Sequence, residues 1–498
     1  MLKFFRDKRI IWSAAAILGL VLLVLVNWFS IHWFHRFDLT DNHLYSLSLA
    51  SQRTIRQLSN DVIVTAYLSK NLPPEFAALR EQIIDLLKEY SNYNSRFRLT
   101  IKDTGDGKEA EAAGLPKLQF NDIRRDKLEV VNGYLGLVIE YKDKKELLAL
   151  SGDLSSLEYE LTSLIKRLTA TELPILGWLA SDQTTAGSFN LARETLSKIY
   201  IIKDLDWKKP EDWQAMSALL WLEPDRNYSD SELQLLNDYL LKGGSVVVLT
   251  ETIEPDAALR PTANVSNISD WLNKWGIVLG EQLVLDGSSA IAFFNQGPLS
   301  YSVPYPFWPK IINANFDVGS PAVSGLDGVV LAWAVSVDSE LKSSDKLRIS
   351  HLAKSSSGSW LAPAGAPLSP ENLPAAKNRQ SYNLILGLSG ELPFNKTTST
   401  ADGAHLVVVG DADFADDRFG QNNPANLALL SNLVDSVATG DELVTIRNKT
   451  IEARIIKDLS DSERFWWRGI NVFGVPLLVL LFGGIRYYWR KRTKTIQF

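Results

Sequence analysis

The sequence predicts an α/β protein enclosed by two membrane spans, one at each end of the chain. Three observations support this fold class. Residues 10–31 and 469–485 contain no charged side chain, and each stretch is apolar enough to cross a bilayer as a helix. Between them, short apolar strands alternate with amphipathic helices, a pattern typical of α/β folds. The composition, with 46% hydrophobic and 22% charged residues over 498 positions, is that of a chain with a sizeable buried core.

The two predicted spans cover residues 10–34 and 469–489. Aromatic residues flank both stretches, as expected at a membrane interface. Basic residues precede the first span within residues 1–9 and follow the second within residues 490–498. The positive-inside rule then predicts that both ends are cytoplasmic and that the chain between the spans lies across the membrane. The lipid bilayer is therefore a predicted partner.

The first predicted domain, residues 61–170, follows a stalk at residues 35–60. Strands are predicted at residues 62–68, 97–102, 134–141 and 146–150, and helices at residues 75–90, 108–113 and onward from the capping residue Asp153. This order of elements is that of thioredoxin-like domains. Because the chain has no CxxC motif, the sequence predicts a structural or binding module and not a redox enzyme.

The second predicted domain, residues 171–445, has the alternation of a doubly wound α/β fold. Strands are predicted at residues 175–180, 218–222, 245–250 and 405–410, and helices at residues 191–200, 230–241 and 424–438. Ser229 and Glu232 have the spacing of a capping box at the start of the second helix. Prolines and small residues predict that residues 293–380 are irregular, with a mobile loop at residues 354–377. A return stalk is predicted at residues 446–468.

Four aspartates follow the strand at residues 405–410, at the sheet edge where open α/β folds bind ligands. They are Asp411, Asp413, Asp416 and Asp417. Four carboxylates can hold a hard cation such as calcium or magnesium, or they can cap helices at a strand-end turn. The sequence favours capping, because Arg418 offsets part of the charge and the spacing is not that of an EF-hand. We therefore predict no metal site, and the four aspartates are the candidates to test.

Several classes of chemistry are excluded by what the sequence lacks. There is no cysteine, which excludes disulfides, thiolate nucleophiles and cysteine-held metal centres. The five histidines are scattered and form no HExxH motif, and neither a GxxxxGK[ST] nor a GxSxG motif occurs. No catalytic residue and no cofactor are predicted. The net charge of −6, despite two basic ends, leaves an acidic middle that argues against nucleic acid as a partner.

Segments spread through nearly the whole chain resemble the GldG-type proteins, a family named after gliding motility. The matching segments are residues 37–40, 44–48, 62–68, 73–74, 85–90, 133–139, 243–244, 407–414, 426–433, 440–443 and 446–449. The resemblance implies an auxiliary, substrate-binding-like subunit of a bacterial ABC transport system, with a separate permease and a cytoplasmic ATPase as partners. It also implies a second domain similar to glutamine amidotransferases without their cysteine nucleophile. It does not imply motility.

The predicted function is a non-enzymatic, membrane-anchored subunit of an ABC transporter complex at the bacterial inner membrane, with most of the chain in the periplasm. Such a subunit binds a substrate or transmits force from the ATPase. The alternative prediction, from a different class, is a membrane-anchored enzyme of the cell envelope that uses the four aspartates after residue 410.

Overall fold

A computed structural model of the chain separates it into two compact units, residues 1–450 and residues 451–498. The residues that it describes are 17–25, 27–28, 46–124, 127–150, 157–170, 172–180, 189–213, 215–256, 258–296, 299–317, 319–323, 326–363, 365–395, 398–438, 467–469, 474, 480–487 and 489. Helices and strands are numbered below in chain order.

Among the described residues from 46 to 170, the larger unit contains four helices and six strands. They are α1 Leu49–Arg56, β1 Val62–Leu68, α2 Pro74–Tyr93, β2 Phe97–Lys102, α3 Lys108–Ala112, β3 Leu118–Arg124, β4 Lys127–Gly133, β5 Leu135–Tyr141, β6 Lys144–Ala149 and α4 Leu157–Thr169. Four strands form a mixed sheet in the order β2-β1-β5-β6. In it, β1 is parallel to β2 and antiparallel to β5, and β5 is antiparallel to β6. Strands β3 and β4 pair with each other as a separate two-stranded hairpin and are not part of this sheet.

A buried polar network joins three helices beside this sheet. The Glu158 carboxylate on α4 accepts hydrogen bonds from the Ser48 N–H and the Ser51 hydroxyl of α1, each at 2.7 Å. The Tyr90 hydroxyl of α2 lies 2.6 Å from the Thr162 hydroxyl of α4. Because buried polar groups must find partners inside the protein, this network fixes α1 against α2 and α4.

The remainder of the larger unit contains five helices and seventeen strands among the described residues. They are β7 Ile175–Leu179, α5 Asn190–Ser197, β8 Ile201–Asp204, β9 Ala218–Leu222, α6 Asp230–Leu241, β10 Ser245–Leu249, β11 Ile253–Pro255, β12 Pro261–Ala263, α7 Ile268–Lys274, β13 Ile277–Leu285, β14 Ser289–Gln296, β15 Leu299–Ile311, β16 Val329–Val330, β17 Val335–Ser339, β18 Leu347–Lys354, β19 Trp360–Leu361, β20 Asn383–Gly390, β21 Pro393–Phe394, β22 Thr398–Ser399, β23 Ala404–Val409, α8 Asp417–Asn422 and α9 Pro424–Ala438.

A seven-stranded sheet in the order β18-β20-β23-β10-β9-β7-β8 organises this part. The five strands from β23 to β8 are parallel, whereas β20 is antiparallel to β23 and β18 is antiparallel to β20. Residues of α5 and α9 pack on one face, and residues of α6 and α7 pack on the other. Both faces of the central strands are therefore buried, which explains apolar runs such as ALLWL in β9 and SVVVL in β10.

The prediction of an irregular stretch at residues 293–380 is wrong for the residues that the structure describes there. This stretch contributes strands to the large sheet and to the smaller sheets β17-β13-β19 and β14-β15-β16. Pro304, Pro306 and Pro309 lie inside the thirteen-residue strand β15. Proline lacks the N–H that a ladder needs, yet it is tolerated in edge strands and at bulges. The pairing of β14 with β15 has a register shift between Ser289 and Ile291, and the proline signal therefore misled the sequence interpretation.

The predicted fold class also needs correction in its two membrane spans. Residues 17–25 and 27–28 of the first predicted span are helical, as are residues 467–469, 480–487 and 489 around the second. Among the residues described, none of the helices combines the length and the apolar character needed to traverse a bilayer. A span requires about 20 consecutive helical residues. The prediction used the apolar character of the two stretches, which does not by itself determine how long a helix they form. The fold class is therefore mixed α/β with several sheets.

Other predictions fall on residues outside those described. They concern the rest of both spans, the two terminal segments at residues 1–9 and 490–498, residues 35–45 of the first stalk, residues 446–466 of the return stalk, and the cap at Asp153.

Candidate functional site

The acidic residues of interest lie at one edge of the seven-stranded sheet. Val409 of β23 pairs with Leu249 of the neighbouring parallel strand β10, and Asp411 and Glu251 each follow two residues later. Glu223 follows β9, the next parallel strand. Because parallel strands end at the same edge, three carboxylates from distant parts of the chain meet there, in the place where open α/β sheets bind ligands.

Glu251 and Asp411 form a compact buried cluster with a third carboxylate, Asp413. Glu251, Asp411 and Asp413 each offer one carboxylate oxygen, and the three atoms lie within 4.8 Å of one another. The three residues are 2%, 0% and 7% exposed. Removing an ionised carboxylate from water is costly unless a hydrogen bond, an opposite charge or a metal compensates it. The chemistry open to the cluster therefore depends on which hydrogen bonds or positive charges each of the three carboxylates has.

Asp411 is held in place by backbone donors. Its Oδ2 accepts the Ala332 N–H at 2.7 Å, and its Oδ1 accepts the Phe414 N–H at 3.3 Å. One residue earlier, the Gly410 carbonyl accepts the Val335 N–H at 2.8 Å. These bonds attach the β-rich segment around β16 and β17 to the end of β23, so that Asp411 has a fixed orientation.

Of the three carboxylates, Glu251 has the fewest groups that offset the cost of its burial. Its Oε2 is buried and has no hydrogen-bond partner among the described residues, and the same holds for the neighbouring Thr250 hydroxyl. Buried polar atoms without a partner are rare in native proteins. A carboxylate oxygen in this position requires either a proton or a cation to satisfy it.

The pKa values of all three carboxyl groups are shifted upward. Burial raises the pKa of Glu251 well above its ordinary value, and the neighbouring Asp413 and Asp411 raise it further. Burial and Asp413 also raise the pKa of Asp411, against the backbone N–H groups that lower it. Burial raises the pKa of Asp413 to about 7, although Arg418 opposes this shift. Close carboxylates cannot all be ionised without compensation.

Arg418 supplies one positive charge at the rim of the cluster. Its Nη2 lies 3.1 Å from Asp413 Oδ1, and its Nε lies 2.6 Å from Asp416 Oδ2. The Arg418 side chain is 74% exposed, so that solvent screens its charge. Arg418 therefore pairs from the solvent side with the buried Asp413 and Asp416 and leaves Glu251 and Asp411 to other compensation.

The other two candidate aspartates cap helices. Asp416 Oδ1 accepts the N–H groups of Arg418 and Phe419 at 2.7 and 3.0 Å, which is the N-cap geometry of α8. Asp417 accepts the Leu191 N–H at 2.8 Å at the start of the distant helix α5. Of the four aspartates, the structure thus brings Asp411 and Asp413 together and turns Asp416 and Asp417 toward helix ends.

Sequence reasoning missed Glu251. Its signal was present, since it follows the predicted strand at residues 245–250 almost directly. What the sequence does not contain is the order of strands in the sheet. Only the pairing of β10 with β23 brings Glu251 beside residues 160 positions later in the chain.

Comparisons with known proteins give matches over both parts of the larger unit. The profile of a family described as an ABC-type uncharacterized transport system matches residues 169–437, and a domain of unknown function matches residues 41–140. An uncharacterized protein of Borreliella burgdorferi is 22% identical over 495 residues, covering 95% of this chain and 97% of that protein. Among solved structures, the mmIFT52 N-terminal domain matches with a TM-score of 0.35 and 12% identity, covering 56% of this chain and 100% of that domain.

These matches test the family that the sequence resembles. They confirm the transport-system part of the resemblance, and they contain nothing on gliding motility. Since the family profile spans more than half of the 498 residues, the chain belongs to the auxiliary-protein family of the ABC-type uncharacterized transport system.

Proposed function

We propose that this chain is a non-enzymatic accessory subunit of an ABC transporter that works with a separate permease and a separate ATPase at the bacterial inner membrane. The family match over residues 169–437 is the observation that carries this proposal. The sequence supports it because no GxxxxGK[ST] motif is present to hold ATP. The energy of ATP therefore has to come from another chain.

Within such a complex, we assign the chain the binding of a substrate or the transmission of force, on the extracytoplasmic face. We also propose that residues 61–170 and 171–445 are two domains with different tasks. The second contains the ligand edge of the seven-stranded sheet, and the first is the part matched by the domain of unknown function. The GldG-type resemblance supports the accessory role and carries no inference about motility.

Co-purification tests the assembly. The full chain, tagged and extracted with a mild detergent, is expected to bring down one permease and one ATPase, identified by mass spectrometry. The matched control is the same tag on an unrelated protein of the same membrane. Repeated recovery of the chain without either partner contradicts the proposal.

A reporter tests the side of the membrane. Residues 375–381 are exposed, and an enzyme that is active only in the cytoplasm can be inserted after Lys377. The inserted reporter is expected to be inactive, and activity there contradicts the extracytoplasmic assignment.

The second candidate function is a cell-envelope enzyme, which the buried carboxyl cluster favours. Its test is a metal-dependent hydrolysis of envelope material by the full chain that Asp411→Asn abolishes. We place it second because Glu251, Asp411 and Asp413 are at most 7% exposed. A catalytic group has to reach its substrate, and carboxyls this deeply buried do not.

A further inference from the structure

The charges around the buried cluster do not balance within the described residues. Glu251, Asp411 and Asp413 lie together, and the charged neighbours that act most strongly on Glu251 are the carboxylates of Asp413, Asp411, Glu254 and Glu223. Arg418 reaches Asp413 but is largely in solvent. A fold that packs acids in this way needs either protons on the carboxyl groups or a positive charge inside the cluster.

Glu251 gives a second and independent indication of a ligand. Its Oε2 is buried without a hydrogen-bond partner among the described residues, and the side chain is 2% exposed. By contrast, both oxygens of Asp411 accept backbone N–H groups. The unpartnered oxygen therefore belongs to the one carboxylate that reaches the cluster from the other strand, β10.

The spacing of the oxygens fits the size of a hard cation. Calcium binds oxygen atoms at about 2.3–2.6 Å, so two ligands on opposite sides of it lie about 5 Å apart. The three carboxylate oxygens lie within 4.8 Å of one another. Magnesium retains several waters in a strict octahedron and is seldom held in a closed protein cage, whereas this cluster is almost fully removed from solvent.

The geometry points to a structural calcium site formed by Glu251, Asp411 and Asp413. The ion joins the ends of β10 and β23. Through the Ala332 N–H bond of Asp411, it also joins the β-rich segment to the sheet. Asp416 and Asp417 lie outside the ligand set because their oxygens cap α8 and α5. The site does not depend on the proposed transporter role, since it is contained in this chain alone.

Calcium binding to the purified full chain tests the site directly. After removal of bound metal with a chelator, calorimetric titration with Ca²⁺ is expected to show one site, and the thermal midpoint is expected to rise with Ca²⁺ concentration. Because loss of a partner outside the ligand shell already weakens metal binding about 10–100-fold, Glu251→Gln is expected to weaken it by more than about 100-fold. The control, Asp417→Asn, is expected to bind Ca²⁺ as the wild type does.

A second measurement needs no variant to fold. Terbium, a hard trivalent ion of similar size, is expected to bind the wild type and to emit when the tryptophans are excited, since Trp333 directly follows Ala332, whose N–H binds Asp411. Ca²⁺ is expected to displace it. The site is overturned if the wild type shows neither heat nor a thermal shift with Ca²⁺. It is also overturned if Glu251→Gln or Asp413→Asn, folded by circular dichroism, binds as tightly as the wild type, or if Mg²⁺ binds more tightly than Ca²⁺.

Discussion

Gly410 shows how one residue permits the contact that builds the candidate site. It lies between β23 and Asp411, and its carbonyl accepts the Val335 N–H. A Cβ atom at this position would approach the Val335 carbonyl oxygen more closely than real Cβ atoms approach backbone. The neighbouring strand β20 offers a contrast, because a Cβ at Gly387 would meet the Leu352 side chain at 3.5 Å, an ordinary contact.

Replacing Gly410 is therefore expected to be costly. Gly410→Ala forces β17 away from β23, and overpacking of this kind costs about 1–3 kcal/mol. Gly387→Ala is the matched control and is expected to leave the free energy of unfolding unchanged or to raise it by up to about 1 kcal/mol. Urea unfolding of the three proteins measures both effects. Equal midpoints for the two variants would contradict the predicted close contact.

Asn426 is a second residue on which the same region depends. Its side chain is fully buried. Its Oδ1 accepts the Val330 N–H at 2.9 Å, and its Nδ2 donates to the Val330 and Phe414 carbonyls at 2.9 and 2.8 Å. One side chain thus joins α9 to β16 and to the turn that carries Asp413.

Removing this amide leaves buried backbone groups without partners. Asn426→Ala is expected to lower the free energy of unfolding by about 2–5 kcal/mol, since each unsatisfied buried group costs about 1–3 kcal/mol. Asn422 is the control, because it is exposed and donates one bond, to the Arg418 carbonyl. Asn422→Ala is expected to stay within about 0.5 kcal/mol of the wild type. Chemical denaturation compares them, and similar losses for both would refute the argument.

At the scale of elements, helix α6 is the clearest case in which local sequence signals and structure agree. The Ser229 hydroxyl accepts the Glu232 N–H at 3.3 Å, and the Glu232 carboxylate accepts the Ser229 N–H at 2.8 Å. This is the capping box that the spacing predicts. Arg226 pairs with the same carboxylate at 2.8 Å, and that hydrogen bond is the main reason why the pKa of Glu232 is lowered to about 2.

The lowered pKa makes the stability contribution of Glu232 dependent on pH. The ionised form stabilises the fold above the ordinary pKa of 4.5, and this contribution is lost as the pH falls from there toward 2. Glu232→Gln is expected to cost about 1 kcal/mol at pH 7 and progressively less below pH 4.5. Urea midpoints at pH 7, 5 and 3.5 measure the difference. The exposed Glu281→Gln is the control, and a pH-independent difference for Glu232→Gln would contradict the assignment.

The sequence predicted the elements whose signals are local. The strands Val62–Leu68, Phe97–Lys102 and Ala218–Leu222 and the helix Asp230–Leu241 have the predicted bounds. Apolar runs and caps define such elements without reference to the rest of the chain. The hairpin of β3 and β4 was missed, and β15 was hidden by its prolines, because their pairing partners and not their composition make them strands.

The candidate site illustrates the same limit. Asp411 and Asp413 were singled out because they follow an apolar strand, and Glu251 was not, although it follows one as well. Which strands are neighbours is a property of the sheet order, and the order depends on long-range packing. Local patterns therefore located two of the three carboxylates of the cluster, and the sheet order supplied the third.

At the scale of the whole molecule, the described parts of the larger unit share a boundary at helix α1. Ala50 on this helix is 5% exposed and belongs to the core beneath the seven-stranded sheet, together with Leu176 and Trp178 of β7. Ser51, the next residue, bonds to Glu158 in the network beside the four-stranded sheet. One short helix therefore contacts the hydrophobic interior of one part and the polar network of the other. We expect such a joint to make the two sheets unfold together, because neither can lose its packing without exposing α1.

This joint can be broken by one substitution. Ala50→Arg places a charge in a core without a partner, and it is expected to split the single calorimetric unfolding transition of the full chain into two. Leu49 precedes it on the same helix and is 71% exposed, so Leu49→Arg changes the same kind of side chain in solvent and is expected to keep one transition. If the wild type already unfolds in two steps, or if both variants keep one transition at an unchanged temperature, α1 does not couple the sheets. If Ala50→Arg alone separates them, the coupling of the two sheets passes through a helix of eight residues.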